Sequence, residues 1–331
     1  MPLPPQSVFL VLFILLVLLL LCILASIALG SRSTTTQEIT DGLFHPEVNT
    51  FGANVVRKRI PRTFFALLCG AALGVSGALM QAVARNSIAA PSVLGVNNGA
   101  ALFVVIGLAF FNISSAKAYI GLAMLGAMLT AIFVYSIGSM GRGGATPIKL
   151  VLAGSAVSAA LSSIVTAILL PRSSVMDQFR FWQVGSVGSG TWEYVKLLFP
   201  FVILGVVIAI LSAPALNALA LGDDAATSLG VRPGMLRLLA AFGAVILCAS
   251  VTALAGPISF IGLLAPHLVH LLLGADLRVT IPMSALSGAV ILTISDVAGR
   301  LLTYPGELEV GIVTAFVGAP MLIYAARKAK V

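Results

Sequence analysis

The sequence predicts an all-α polytopic membrane protein of about ten transmembrane helices, and three observations predict it. Hydrophobic residues make up 59 % of the 331 residues, charged residues only 9 %, and mean hydropathy is +1.10. A soluble domain carries roughly 25 % charged residues, so 19 basic and 11 acidic side chains cannot cover a 34.1 kDa globule. The apolar runs are continuous, whereas a transmembrane β-barrel would alternate in period two. Intrinsic disorder and a nucleic-acid-binding domain are excluded by the same numbers. The net charge of +8 and pI near 9.8 fit lysine and arginine retained at the cytoplasmic face of a membrane.

A spanning helix needs about 20 mostly apolar residues. Ten such stretches are expected near 8–29, 61–82, 93–111, 118–137, 150–170, 197–212, 237–256, 258–273, 280–302 and 309–326. The first, an uncharged run from Val8 to Leu29, is too long for a signal-peptide core and has no basic residue before it, so it reads as a span. The second and third carry glycines four apart, Gly70 with Gly74 and Gly95 with Gly99, a spacing that lets helix backbones approach closely. The eighth is short enough to be a half-span. Between them, the longest polar pieces (from Gly30 to about Ile60, 171–196 and 213–236) are too short for an independent domain, so the chain is read as one. Cys22, Cys69 and Cys248 sit inside apolar runs without paired spacing, as small buried hydrophobes.

Arg327, Lys328 and Lys330 follow the last span and place the C-terminus in the cytoplasm; ten spans then place the N-terminus there too. That topology gives nine basic residues inside and ten outside. The excess comes from Arg57, Lys58, Arg59 and Arg62, just before span 2. Either the orientation is inverted or this external cluster has a task of its own.

Several chemistries are missing. Gly141-Arg142-Gly143-Gly144 is not followed by the Gly-Lys-Ser/Thr that a P-loop needs for phosphates and Mg²⁺, so the chain has no Walker-type ATPase site. His267 and His270 share a helix face, but two nitrogens without a third ligand make a poor metal site; a packed helix start at Pro266 accounts for them equally. Among the acidic residues only Asp296 falls clearly inside a span, four residues before Arg300 and able to pair with it. That pair reads as structural or functional alike. It weakens the case for ion coupling, which would need polar groups near the midplane. In Leu216–Val231, Gly222 and Gly230 bracket a short helix with Asp223 as candidate cap, preceded by another short helical piece at 216–221. The pair would form a compact knob, either an ordinary amphipathic loop or a docking element for a cytoplasmic partner.

Eight ordered segments carry a resemblance: RIPR at 59–62, GAALGVSGALMQ at 70–81, RNSIAAPSVLGVNNGA at 85–100, FWQVGS at 181–186, LALGDDAATSLGV at 219–231, GPISFIGLLAPH at 256–267, SDVAGR at 295–300 and GELEVGIVTAFVGAP at 306–320. Through them the chain resembles the FecCD family, permease subunits of ABC importers for ferric siderophores, haem and vitamin B12. Around DQFRFWQVGS it is similar to permeases for catecholate siderophores of the enterobactin type. The resemblance implies a type II ABC importer permease fold with both termini cytoplasmic, in a bacterial cytoplasmic membrane. It implies as partners a second permease subunit, identical or paralogous, two cytoplasmic ATP-binding subunits that use ATP and Mg²⁺, and an extracytoplasmic substrate-binding protein. No cofactor is expected on this chain.

The resemblance also assigns residues. Arg59, Arg62 and Arg300 match outward-facing arginines that receive glutamates of the binding protein, a task suited to the planar guanidinium fork; Arg57 and Lys58 would add long-range steering charge. Asp223, Asp224, Ala226 and Gly230 match the helices that couple to the ATPase. Asn86, Ser87 and Ile88 match a cytoplasmic gate that usually reads Asn-Pro-Leu. Two further departures are His270, where arginine is common, and Glu309, where proline is usual; the latter adds negative charge near the docking face. The expected function is therefore passage of a ferric siderophore, with vitamin B12 or haem as the alternative cargo. An ion-coupled secondary transporter is the rival class, and an intramembrane enzyme lacks converging catalytic groups.

Overall fold

The computed structural model describes residues 5–87, 89–113, 115–141 and 146–328. Ile88, Arg142 to Gly144 and Lys330, all used in the sequence reading, lie outside them. Thirteen α-helices follow one another: α1 (Pro5–Ala28), α2 (Thr36–Phe44), α3 (Phe51–Ala84), α4 (Val96–Phe111), α5 (Ala116–Ser139), α6 (Pro147–Leu169), α7 (Ser173–Gln183), α8 (Trp192–Ala220), α9 (Asp223–Ser228), α10 (Pro233–Ala255), α11 (Ile261–Leu273), α12 (Leu277–Leu302) and α13 (Val310–Lys328). A single 3₁₀ turn, Pro91–Leu94, precedes α4, and no strand occurs among the described residues. Among the described residues seven helices (α1, α3, α5, α6, α8, α10 and α12) are long and apolar enough to cross a membrane; α4, α11 and the Val310–Met321 part of α13 are shorter apolar stretches. The remaining three, α2, α7 and α9, are short connectors.

The bundle is organised around α3, which packs against α12, α10, α11 and α8. Its buried face is made of small residues because lipid offers no hydrophobic drive between helices, and close backbone contact must supply the attraction. A Cβ added at Gly70 would strike the Gly288 carbonyl, at Gly74 that of Ser284, and at Gly77 that of Gly262. Gly99 of α4 lies equally close to α5, at Gly126 and Thr130. By contrast α1 and α6 are mostly exposed, α1 being apolar all round and α6 carrying several serines and a threonine. All three cysteines are buried and unpaired.

Four local expectations are corrected. The second span begins at Phe51, ten residues before the expected start, because the Thr50 hydroxyl caps the helix by accepting from Ala53 N at 3.3 Å and Pro61 is accommodated inside it. The separate helical piece at 216–221 is instead the end of α8, which runs through Pro200 and Pro214; the chain first breaks at Gly222, at φ 118°. Asp223 does not cap α9, whose N-cap is Gly222 with no side-chain bond. Finally, α11 begins at Ile261 after a left-handed Phe260, so Pro266 lies within it.

Candidate functional site

Candidate residues gather at the two ends of α3. Its 34 residues rise about 50 Å at 1.5 Å per residue, more than the roughly 40–45 Å of a bilayer with its headgroups.

At the first end, Arg59, Arg62 and Arg300 come together. Arg59 is 6 % exposed. It donates to the carbonyls of Ile27 (3.1 Å), Ala28 (3.0 Å) and Arg32 (2.7 Å) and to the Thr34 hydroxyl (3.3 Å). These include the last carbonyls of α1, which have no partner inside their own helix. Arg300 is 1 % exposed and donates to the carbonyls of Ser26 (3.0 Å) and Leu29 (3.1 Å) and to the Ser26 hydroxyl (2.9 Å). It also lies 2.9 Å from Asp296 Oδ2, the pairing expected from their spacing. Both guanidiniums thus fasten α1 to the bundle rather than stand free at the surface.

Arg62 is placed differently. Its Nη2 and Nε donate to Asp296 Oδ1 at 2.7 and 3.2 Å, and its Nη1 donates to Glu307 Oε2 at 2.7 Å. The other Glu307 oxygen accepts from the Ser31 hydroxyl at 2.7 Å. Burial alone would raise the Glu307 pKa, but the bonds from Arg62 and Ser31 outweigh it and hold the carboxyl below its usual range. Three guanidiniums against two carboxylates leave this cluster with a net positive charge. Of the steering pair, Lys58 is exposed, whereas Arg57 donates to the His45 and Val48 carbonyls at 2.6 and 2.9 Å and so braces the loop before α3. Arg32, above the Phe51 ring at 4.4 Å and 3.5 Å from Glu38, adds a partly exposed cation.

At the second end, Asp223, Asp224, Ala226 and Gly230 lie in and around α9 and face different ways. Ala226 is fully buried, while Asp224 and Gly230 are exposed beside the exposed Leu221, Leu229 and Met235. Gly230 has φ 81°, which ends the helix in the left-handed region that glycine tolerates. Asp223, half-exposed, turns toward α10 and the end of α3. Arg237 holds it with two parallel bonds, Nη1 to Oδ2 at 2.9 Å and Nη2 to Oδ1 at 2.8 Å, and Arg85 Nη2 reaches Oδ1 at 2.5 Å. The Arg237 bonds come first in holding its carboxyl below the usual range, with Arg85 adding to them. Arg85 is the left-handed C-cap of α3, φ 47°, and the exposed Asn86 and Ser87 follow it directly.

Between these levels lies a cavity of ≈ 780 Å³ lined by Asn97, Asn98, Trp182, Gln183, Ser259 and Phe316 among others, with no charged side chain in its wall. Its rim is a crossing of three backbone segments. Gly311 N donates to Gly185 O (3.0 Å) and Ser186 N to Ala255 O (2.7 Å). A Cβ at Gly311 would strike the Val184 carbonyl and one at Gly256 the Trp182 carbonyl. Among the described residues no three His, Cys, Asp or Glu side chains are grouped to hold a metal ion.

Sequence reasoning passed over Glu307, Arg85 and Arg237. Arg85 and Asp223 are 138 residues apart, and no local spacing signals that the fold will join them.

A model of the FecCD transport family matches residues 18–328. The chain is 39 % identical over 303 residues to the ferric enterobactin transport system permease protein FepD of Escherichia coli (strain K12), covering 92 % of this chain and 90 % of that one. It is 37 % identical over 325 residues to the probable siderophore transport system permease protein YfiZ of Bacillus subtilis (strain 168), covering 98 % and 97 %. Its fold is similar to that of a metal-chelate type ABC transporter solved in an inward-facing conformation, with TM-score 0.82, 27 % identity and coverage of 96 % and 98 %. With 311 residues matched by the family model, the chain belongs to the FecCD transport family.

Proposed function

We propose that this chain is the membrane-spanning permease subunit of an ATP-driven importer that passes a ferric siderophore across the cytoplasmic membrane. The observation that carries the reading is its near full-length likeness to permeases named for ferric enterobactin and siderophore transport. The chain forms a passage and uses no ATP itself. Its partners are a second permease subunit, two ATP-binding subunits, one of them against α9, and an extracytoplasmic binding protein at the arginine end. Both termini lie in the cytoplasm.

Three features support this arrangement. The α9 end presents Asp224 with Leu221 and Leu229 on a protruding turn, a mixed apolar and acidic surface suited to a protein cleft. At the opposite end the exposed Lys58 and partly exposed Arg32 beside the arginine cluster support contact with an acidic partner. These two are the cations that an incoming carboxylate reaches first. Arg62, paired with Asp296 and Glu307 and mostly buried, would have to exchange a partner to join them, with Arg59 and Arg300 supporting from beneath. The uncharged cavity suits a bulky cargo that must bind weakly enough to leave.

The test is uptake into liposomes by the reconstituted complex, with ferric catecholates, ferric hydroxamates, haem and cobalamin in competition. ATP-dependent uptake with catecholate preference is expected. Uptake that persists without ATP and follows a proton or sodium gradient overturns the reading. Arg62→Glu is expected to weaken binding-protein docking at least tenfold, about 1.4 kcal/mol, without loss of membrane insertion.

A further inference from the structure

We propose that Asp223 acts inside the chain, as a yoke joining α9 to the ends of α3 and α10. The proposal rests on the reading that an ATPase subunit engages α9, and it reassigns Asp223 from a partner contact to the transmitter of that contact.

The helix α9 has six residues, too few to hold its shape alone. Its position must come from what it is tied to. Ala226 is its one fully buried side chain, and Asp223 supplies the directional tie. One carboxylate takes the bidentate fork of Arg237, in the second turn of α10, and the Nη2 of Arg85, at the end of α3. Arg85 Nη2 also donates to the Leu219 carbonyl at 2.5 Å, in the last turn of α8. Three helices therefore meet at one anion, and Arg85 ties the fourth, α8, to them. The tie is directional because charge-assisted bonds of this length tolerate little change of angle.

The rest of α9 apart from Ala225 and Ala226 faces away. Asp224, Thr227 and Ser228, with Leu229 and Gly230 just after the helix, are exposed, so a partner would push on that outer face while Asp223 carries the displacement to α3 and α10. The receiving residue is well placed to pass it on. Arg85 is held by its own N–H to Ala82 O at 3.3 Å, and Asn86 N bonds Gln81 O at 3.1 Å. A shift of the Arg85 guanidinium thus acts on the turn that carries Asn86 and Ser87. Arg237 is the stiffer arm, at 15 % side-chain exposure against 34 % for Arg85. We assign Asp223, Arg85 and Arg237 as positioning residues that move as one unit.

The experiment uses the complete complex in liposomes and reads cargo moved per ATP hydrolysed, together with affinity for the ATPase subunit. Asp223→Asn, Arg85→Gln and Arg237→Gln are each expected to lower cargo per ATP roughly tenfold, the order for losing a charge-assisted bond. The triple variant is expected to be no worse than the worst single, because members of one network are not additive. ATPase-subunit affinity is expected to stay unchanged, and Arg85→Lys to keep most of the coupling. If Asp223→Asn weakens ATPase-subunit binding while the two arginine variants couple normally, Asp223 is a partner contact and the yoke is overturned. Additive losses overturn it too. Should Asp223→Asn not fold, the more exposed Arg85→Gln carries the same test. Asp224→Lys with Leu229→Ser separates the underlying reading: if that pair leaves ATPase binding and transport intact, α9 is not the ATPase contact, whatever the yoke variants do.

Discussion

A guanidinium as buried as that of Arg300 needs partners for its charge and its donors, and here they are the end of α1 and Asp296. Arginine is suited to this because its planar fork serves several acceptors at once, which an ammonium cannot. Replacing Arg300 with Met leaves the Ser26 and Leu29 carbonyls without their donor and Asp296 with Arg62 alone. Breaking a buried pair costs about 3–5 kcal/mol, so thermal unfolding of the purified permease is expected to fall markedly, with Arg300→Lys recovering only part. The same residue was legible in the sequence as a charge inside a span four residues after Asp296. What could not be read was its direction, because the carbonyls it serves lie 274 and 271 positions earlier.

Asp223 makes a residue-scale prediction about pH. Its carboxyl is held below the usual range by Arg237 and then Arg85. A carboxyl depressed in the folded state stabilises at every pH above its unfolded value, about 3.9, and loses that contribution only as pH falls through the folded one. Amide exchange in α9 is therefore expected to reflect an intact tie from pH 7 to about 5 and to rise only in stronger acid. The side chain is 46 % exposed, so solvent screening keeps the contribution to overall stability small. A rise in α9 exchange near neutral pH, once intrinsic rates are corrected, would count against the tie.

At the scale of elements, α3 shows which signals survive and which are lost. The four-residue spacing of Gly70 and Gly74 announced a close helix contact, and the contact exists at the α12 carbonyls of Gly288 and Ser284. The spacing could not name α12 as the partner, since close approach is a property of two surfaces. Gly74→Ala or Gly77→Ala is expected to destabilise by about 1–3 kcal/mol through overpacking. Gly121→Ala, in α5 with nothing within 4 Å of the added Cβ, is expected to be neutral or to stabilise by up to about 1 kcal/mol from helix propensity. Comparing the unfolding temperatures of these variants in one detergent checks the contrast. Boundaries were read less well than cores. The early start of α3 and the long run of α8 both pass through prolines that a bundle accommodates and a soluble helix interior would not.

The whole molecule places the Arg59, Arg62 and Arg300 cluster and the short helix α9 towards opposite ends of its central helix, and its main cavity has no charged side chain in its wall. That neutrality has a consequence for cargo. Asn97 Oδ1 accepts from the Thr252 hydroxyl at 3.2 Å, and an aspartate keeps that acceptor while adding a charge to the cavity wall. Asn97→Asp is expected to slow uptake of an anionic ferric catecholate roughly tenfold, about 1.4 kcal/mol, and to leave a neutral ferric hydroxamate nearly unaffected. Equal losses for both cargoes, measured in the same liposomes, would show that the cavity does not sense cargo charge.

By itself the sequence determined the class of solvent, the number of apolar helices and the stretches where charge is concentrated. These follow from composition and period, which are local and survive without coordinates. Only the tertiary structure decided what the charges do. A cluster that reads along the chain as four external cations before a span becomes, once α3 is wound, two braces, one exposed charge and one arginine shared between Asp296 and Glu307. The reason is geometric: successive residues on a helix point about 100° apart, so neighbours in sequence are sent to different surroundings, and only the packed neighbours settle which side chain meets a partner and which holds the fold.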